Sequence, residues 1–448
     1  MNIRDSIAII ACKTLIGISK MMGKKGSSGP GTIALKISPG ILKRLSGQIK
    51  HEIIAVCGTN GKTTTNNLLC ELLECAGSRV VCNNVGANML PGVACSFISK
   101  AKISGRLNCD YAAIECDEAS LRHIVNHVKP HKIIVTNLFR DQMDRYGETE
   151  MTAALLDEAI QKVPDTTLIL NADDPLCVQL GKDRKCLYYG IDQDCSSNNI
   201  AETREGRNCP KCGAELKYNY YHYSQLGSFE CPKCDFKRPD CDYGAVNINL
   251  KNGMSFDVNY RGTALNLSLN YRGFYNIYNV LASFCAYESA NLPTHSINEV
   301  YNNYKPQIGR MEAFTIGGKT VILNLSKNPA GFNQAIATLA SDKRSKDVII
   351  AINDNPSDGC DISWMWDMDV ENLTKANVNT IVAGGMRKYD LALRLKYAGF
   401  EDVQAKENNE QTLKQLIAQS GEVCYVLVNY TELFKTQQVL KSLEQKEE

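Results

Sequence analysis

Gly58-Thr-Asn-Gly-Lys-Thr-Thr64 carries the residue types of a phosphate cradle. Gly58 and Gly61 let backbone N–H groups approach phosphate oxygens closely. A helix opening at Lys62 adds partial positive charge, Lys62 adds a full charge, and the Thr63 hydroxyl can bind Mg²⁺. Thr59, Asn60 and Thr64 complete the loop. The common form of such a loop has a first glycine about five residues before the second. That position is Val56 here, so the loop is compact.

Further along, Tyr111-Ala-Ala-Ile-Glu115 is an apolar run ending in acids. A carboxylate at the carboxyl end of a strand beside the cradle can hold Mg²⁺. Glu115, the last strand residue, is the predicted metal ligand, whereas Asp117 and Glu118 suit the start of the next helix. The alternative is that these acids only cap that helix. Asn276 and Asn279 stand one helical turn apart and can face an adenine edge, although paired asparagines also cap helices. Cys209-Pro-Lys-Cys212 and Cys231-Pro-Lys-Cys234 form two Cys-x-x-Cys knuckles, eighteen residues apart. Four thiolates in this pattern predict a closed, structural Zn²⁺ site. Tyr218, Tyr220, Tyr221 and Tyr223 lie between the knuckles and would suit base stacking, but the insert lacks the dense basic patch of a nucleic-acid module. The segment from Asn353 to Asp367 holds four aspartates and both tryptophans of the chain, Trp364 and Trp366. Two neighbouring tryptophans suggest an anchored contact with another surface, and a solvated turn is the ordinary alternative.

These groups need elements to position them. From about residue 50, short apolar runs at 53–57, 79–82, 111–115, 132–136, 167–171 and 186–189 alternate with amphipathic stretches at 62–76, 118–128 and 151–162. This predicts a parallel sheet with helices on both faces. Residues 195–243 break the rhythm and read as an insertion. Residues 244–272 alternate like antiparallel strands, a helix follows over 276–290, and a second α/β series has strands at 320–324, 347–352, 379–383 and 424–428. The expected plan is an N-terminal helical segment (1–49), a central α/β nucleotide-binding domain (50–312) with a zinc-ribbon insertion near 200–242, and a Rossmann-like C-terminal domain (313–448).

At 448 residues, 44% hydrophobic and 22% charged, the chain reads as a soluble globular protein of two or three domains. A net charge of +1 gives no global argument for nucleic acid. Nineteen scattered cysteines, many inside apolar runs, suit reduced buried thiols in a cytosolic protein better than a disulfide framework. Residues 6–22 are apolar but interrupted by Lys13 and Lys20, too short and charged to span a membrane. They predict an amphipathic helix packed on the protein, with peripheral contact to a membrane surface as the alternative. Residues 24–31 read as a glycine-rich loop.

Taken in order, these segments resemble the Mur ligase superfamily, which joins amino acids to peptidoglycan precursors or folates with ATP. The compact loop, Glu115, Asp141–Tyr146, Asn171–Pro175, Asn276/Asn279 and Gly309-Arg310-Met311-Glu312 each match a motif of that family. The resemblance implies that Lys62 and Thr63 hold phosphate and Mg²⁺, that Asn276 and Asn279 lie near adenine, and that Arg310 reaches the nucleotide from the domain boundary. Three departures narrow it. Gln142 stands where the family has histidine, Asn324-Leu-Ser-Lys327-Asn328-Pro329 replaces Asp-Tyr-x-His-Asn-Pro, and no lysine occurs between Gly147 and Gln161. With the zinc insertion and the Asn353–Asp367 segment, they are similar to one subgroup of synthetase subunits from Gram-positive bacteria. Its members amidate the α-carboxylate of D-glutamate in the lipid II stem peptide to D-isoglutamine. The resemblance implies an acyl phosphate route, ATP, Mg²⁺ and structural Zn²⁺ as cofactors, lipid II as substrate, and action at the inner face of the plasma membrane. It also implies ammonia from a class I glutamine amidotransferase partner contacting the C-terminal domain, with Asp361 orienting that partner's catalytic histidine. The alternative is a standalone amino-acid ligase of the Mur or folylpolyglutamate type.

Overall fold

The computed structural model describes residues 3–22, 26, 28–83, 87–141, 149–195, 205–250, 253–270, 273–305 and 308–445. The first strands are β1 (Ile53–Cys57), β2 (Val80–Cys82), β3 (Tyr111–Glu115), β4 (Lys132–Val135), β5 (Thr167–Asn171) and β6 (Cys186–Ile191). A hairpin follows, β7 (Lys217–Tyr223) and β8 (Leu226–Glu230), and then β9 (Tyr243–Asn249), β10 (Met254–Tyr260) and β11 (Thr263–Leu269). Apart from the hairpin, these form one nine-stranded sheet in the order β11-β10-β9-β6-β5-β4-β1-β3-β2. Pairing is parallel from β2 to β9, and β9, β10 and β11 continue it antiparallel. β1, β3, β4 and β5 are buried throughout, which is why they read as unbroken apolar runs rather than alternating ones.

Successive residues of β1 feed two cores. Ile53, Ala55 and Cys57 face one side, with the N-terminal segment and helix Leu90–Lys100; Ile54 and Val56 face the other, with helices Lys62–Cys75 and Asn276–Glu288. Helix Ile3–Met21 packs through Ala8, Ile9 and Cys12. Its buried Asp5 accepts hydrogen bonds from Ser38 Oγ at 2.6 Å and Arg44 Nε at 2.9 Å, which ties the segment together. No helix among the described residues is long and apolar enough to cross a membrane. The glycine-rich stretch departs from expectation at its end: helix Gly29–Ile37 begins inside it, with Pro30 in the first turn, where its missing N–H costs nothing.

The second sheet contains β12 (Glu312–Ile316), β13 (Lys319–Leu325), β14 (Lys346–Ala351), β15 (Val378–Gly384), β16 (Val403–Ala405) and β17 (Val423–Val428), in the order β12-β13-β17-β14-β15-β16. All pairs are parallel except β12–β13. The edge strands β12 and β16 escape the sequence reading because both are short and only partly buried.

The insertion leaves the sheet after β6 and returns at β9, its neighbour. Asp173 latches it down: this carboxylate accepts from Arg238 Nε at 2.6 Å, Tyr278 Oη at 2.7 Å and the Ile191 amide at 2.9 Å. Tyr218 and Tyr221 stack on each other at 4.0 Å, and Tyr223 is buried. Seventeen cysteines are free thiols. The exception to a fully reduced set is Cys70–Cys82, a disulfide between helix Lys62–Cys75 and β2 with a Cα separation of 6.6 Å. Sequence spacing alone does not show this pair, because it depends on the helix lying against β2.

Candidate active site

The compact loop follows β1 with both glycines left-handed. Gly58 has φ +114° and a β-carbon there would lie 2.3 Å from Thr136 Oγ1; Gly61 has φ +87° and would meet Asn279 Oδ1 at 2.1 Å. Nothing larger fits either position. The loop rests on the turn after β4. Asn137 accepts from the Thr59 amide through its carbonyl (2.8 Å) and from the Asn60 amide through Oδ1 (2.9 Å), while Thr136 Oγ1 donates to Asn60 O at 2.7 Å. Thr136 and Asn137 thus shape the loop, which sequence motif alone does not show. With the Thr59 and Asn60 amides used in this way, what remain are the donors of the helix start, Lys62 to Thr64, which helix geometry leaves without intrahelical acceptors.

Thr63 Oγ1 donates to Glu115 Oε2 at 2.8 Å. Glu115 is fixed by Asn83, which donates to its carbonyl and accepts from its amide, both at 2.8 Å, and by Asn88 Nδ2 at 3.2 Å. A hydroxyl and a carboxylate converging at a strand end form the hard-oxygen donor set that suits Mg²⁺. Asp117 caps helix Glu118–Ile124 as expected. Glu118 opens that helix, as expected, but its side chain is turned away from the helix axis. Its Oε1 turns into the cradle and accepts from Lys62 Nζ at 2.8 Å and the Gly58 amide at 3.1 Å. Lys62 Nζ also donates to Gly58 O at 2.5 Å and Thr59 O at 3.2 Å. Burial works against the Lys62 charge, but Glu118 and Glu115 outweigh it and raise its pKa above the ordinary lysine value.

A cleft of about 970 Å³ opens between the carboxyl edges of the two sheets, the place where open α/β sheets bind ligands. Lys62, Asn276, Asn279, Arg310, Lys327 and Tyr430 all contribute to its wall. Asn279 is turned onto the loop, with Oδ1 3.4 Å from Thr65 Oγ1 and Nδ2 donating to Asn276 Oδ1 at 2.9 Å. Two contacts cross between the domains here: Lys327 pairs with Asp141, and the carboxamides of Asn60 and Asn328 meet at 3.2 Å. Lys327, which replaces a family histidine, therefore has an acidic partner. Gln142 and the rest of the segment to Tyr146 lie outside the described residues.

The acidic loop after β14 is mostly tied down. Asp354 pairs with Arg387, Asp358 accepts from the Thr431 amide at 2.9 Å, and Asp367 pairs with Arg140 at 2.9 Å. Asp361 accepts a local bond from the Ser363 amide at 2.8 Å, and its bonding to Ser363 holds its carboxyl below the usual range. The tryptophans divide. Trp364 is a core residue stacked on Phe332 at 5.4 Å, which corrects its reading as a surface anchor; the 3-10 turn over Ser363–Asp367 buries Trp364 and Met365 and leaves Trp366 outside. Trp366 is half exposed and edge-on to Tyr397, the last of three exposed residues, Tyr389, Leu393 and Tyr397, that recur every four residues on helix Lys388–Tyr397.

In the insertion, Cys209 and Cys234 Sγ lie 3.5 Å apart and Cys212 and Cys231 Sγ 3.4 Å apart, with all four within 4.8 Å of one another. Tetrahedral Zn–S bonds require sulfurs about 3.8 Å apart, so this set fits zinc.

Two family models match the chain: the Mur ligase middle domain over residues 56–232 and the MurT ligase C-terminal domain over residues 325–433. The lipid II isoglutaminyl synthase (glutamine-hydrolyzing) subunit MurT of Streptococcus pneumoniae is 35% identical over 446 residues, covering 99% of this chain and 98% of the relative. The protein of the same name from Staphylococcus aureus strain COL is 34% identical over 399 residues, 89% of each chain. Among solved structures, a pseudomurein peptide ligase type C from Methanothermus fervidus superposes with a TM-score of 0.69 at 21% identity, covering 88% of this chain and 79% of that one. MurF ligase from Thermotoga maritima in complex with ADP gives 0.66 at 13% identity, over 94% and 85%. These two share the fold.

Proposed function

Because the chain belongs to the MurT family of Mur-ligase-fold enzymes, we propose that it is the synthetase subunit of a lipid II isoglutaminyl synthase, amidating the α-carboxylate of D-glutamate in the stem peptide during peptidoglycan synthesis. The observation that carries this reading is the cleft in which the Gly58–Thr64 cradle, the Thr63–Glu115 pair and Arg310 of the domain boundary face one another.

A carboxylate resists ammonia because its carbon is shielded by charge and lacks a leaving group. Transfer of the ATP γ-phosphoryl to a carboxylate oxygen, with ADP leaving, gives an acyl phosphate; ammonia then attacks the carbonyl carbon and phosphate departs. Lys62 and Arg310 neutralise charge on the transferring group, and the loop amides orient it. Thr63 and Glu115 would hold Mg²⁺, which supplies further charge neutralisation when bound. Asn276 and Asn279 line the nucleotide cleft, with Asn279 against the glycine loop and Asn276 beside it. The contacts Lys327–Asp141 and Asn60–Asn328 draw the C-terminal domain over the cradle and restrict water. The four cysteines would hold a structural zinc.

Ammonia comes from a class I glutamine amidotransferase subunit of the GatD type. Trp366 and the exposed Tyr389–Leu393–Tyr397 strip beside the acidic loop support docking on the C-terminal domain. Asp361, bonded locally to Ser363 and in no ion pair among the described residues, would orient a partner histidine. Ile3, Ile7, Ile10, Ile18 and Met21 are exposed on the N-terminal helix, which supports contact with the cytoplasmic membrane surface where lipid II resides.

The test is amide formation on lipid II. The isolated chain should amidate with high ammonium, and should use glutamine only with its glutaminase partner. Glutamine-driven activity by the chain alone sinks the two-subunit reading, and turnover with an amino acid in place of ammonia supports the standalone ligase.

A further inference from the structure

A small polar pocket lies in the wall between the Asp361 loop and the nucleotide cleft. Its volume is about 20 Å³, the room one water-sized molecule needs. Arg140, Glu205, Ser224, Gln225, Ala330 and Asp367 line it. The wall is thin. At three places the chain puts one residue on the pocket and its neighbour on the cleft: Arg140 and Asp141, Ser224 and Tyr223, Asn333 and Gln334; Ala330 lines both spaces. On the loop side, Asp367 ends the turn that begins two residues after Asp361. On the cleft side, the neighbouring Lys327 and Asn328 contact Asp141 and Asn60, so the pocket abuts the phosphate end.

Gln225 supplies an independent observation. It is 1% exposed, its Nε2 donates to Leu138 O at 2.7 Å, and its Oε1 has no hydrogen-bond partner among the described residues. A buried acceptor left in that state costs about 1–3 kcal/mol, which a small N–H or O–H donor beside it relieves. The remaining charges disfavour a trapped cation. Asp367 is neutralised by Arg140 at 2.9 Å, and burial pushes the Glu205 carboxyl up to about 7.

We propose that this pocket is the relay through which ammonia passes from the partner-facing Asp361 loop to the phosphate end of the cleft, with Gln225 Oε1 accepting an N–H and Ala330 forming the last barrier. The relay rests on the amidation reading above. A neutral molecule with three N–H donors suits a pocket rich in acceptors, and keeping ammonia unprotonated keeps it nucleophilic.

The test uses the complex with the glutaminase. Ser224 has φ +47°, a conformation asparagine tolerates, so Ser224→Asn can fill the pocket without backbone strain. Ammonium-driven amidation should stay within about twofold of wild type, while glutamine consumed per amide formed should rise at least about fivefold. Gln225→Leu removes the acceptor at similar volume and should shift the ratio the same way, which keeps the relay testable if Ser224→Asn does not fold. An unchanged ratio in the folded variants overturns the relay. So does equal loss of ammonium-driven and glutamine-driven amidation, since the pocket would then serve the synthetase site. Failure of the wild-type complex to amidate lipid II with ammonium overturns the underlying reading instead.

Discussion

Replacing Glu118 by glutamine is expected to destabilise the nucleotide-free protein while tightening its hold on nucleotide. All three ammonium protons of Lys62 are directed at protein oxygens, and the shortest charged contact is Glu118 at 2.8 Å. At an effective dielectric of about 20 that attraction is about 6 kcal/mol before desolvation, and taking both ions out of water offsets most of it. Orphaning a buried charge costs about 3–5 kcal/mol. Glutamine keeps an acceptor for Lys62 and the Gly58 amide, and Glu115 and Asp141 still face the ammonium. The loss should therefore be smaller, about 1–2 kcal/mol, read as a lower urea midpoint. Nucleotide feels the opposite effect, because a polyphosphate must draw Lys62 away from a carboxylate that also repels it. One charge about 5 Å from a phosphate oxygen, at an effective dielectric of about 40, contributes about 1–2 kcal/mol, or roughly five- to thirtyfold in Kd. Calorimetric titration with Mg²⁺ and a non-hydrolysable ATP analogue reads this directly. Weaker binding by Glu118→Gln would refute the reasoning, since Glu118 would then hold Lys62 in its working position rather than compete for it.

Asp361→Asn keeps the acceptor for the Ser363 amide, so the turn should survive; glutamine-driven amidation is expected to vanish while ammonium-driven amidation persists, and equal loss of both would place Asp361 in the synthetase site. Cys231→Ser should remove the zinc of the ribbon, seen by elemental analysis, and open the 205–242 insertion to protease, because a closed thiolate site supplies folding energy that its few apolar contacts do not. Glu205 carries a folded pKa of about 7, raised by burial above its unfolded value of about 4.3. Its contribution to stability is thus complete below about pH 4.3 and lost as pH rises through about 7. Glu205→Gln should flatten that slope, matching wild type near about pH 4.5 and exceeding it by roughly 1–3 kcal/mol at about pH 8, as measured by denaturation at the two pH values.

Much of the architecture was legible because its signals are local. β1, β3, β4 and β5 are buried on both faces and show as unbroken apolar runs, whereas β12 and β16 sit at sheet edges, where burial no longer dictates composition. The antiparallel pattern of β10 and β11 was also readable, but not that they extend the parallel sheet through β9, since register between distant strands leaves no mark in either. The two tryptophans looked alike in sequence. Only the turn geometry sends Trp364 onto Phe332 and leaves Trp366 outside.

The sequence by itself determined the compact glycine loop and the four-cysteine cluster. Loops of this kind offer consecutive backbone amides to phosphate and clusters of this kind offer thiols on tight turns to zinc, so both patterns are written in short contiguous runs. Tertiary structure alone decided what those runs face. Sheet order puts β3 beside β1, and so brings Glu118 to Lys62 and Glu115 to Thr63. Docking of the second sheet brings Asn328 to Asn60 and Lys327 to Asp141, and stands the pocket wall between the Asp361 loop and the cleft. Those pairings arise from the burial of whole faces, which no stretch of residues records on its own.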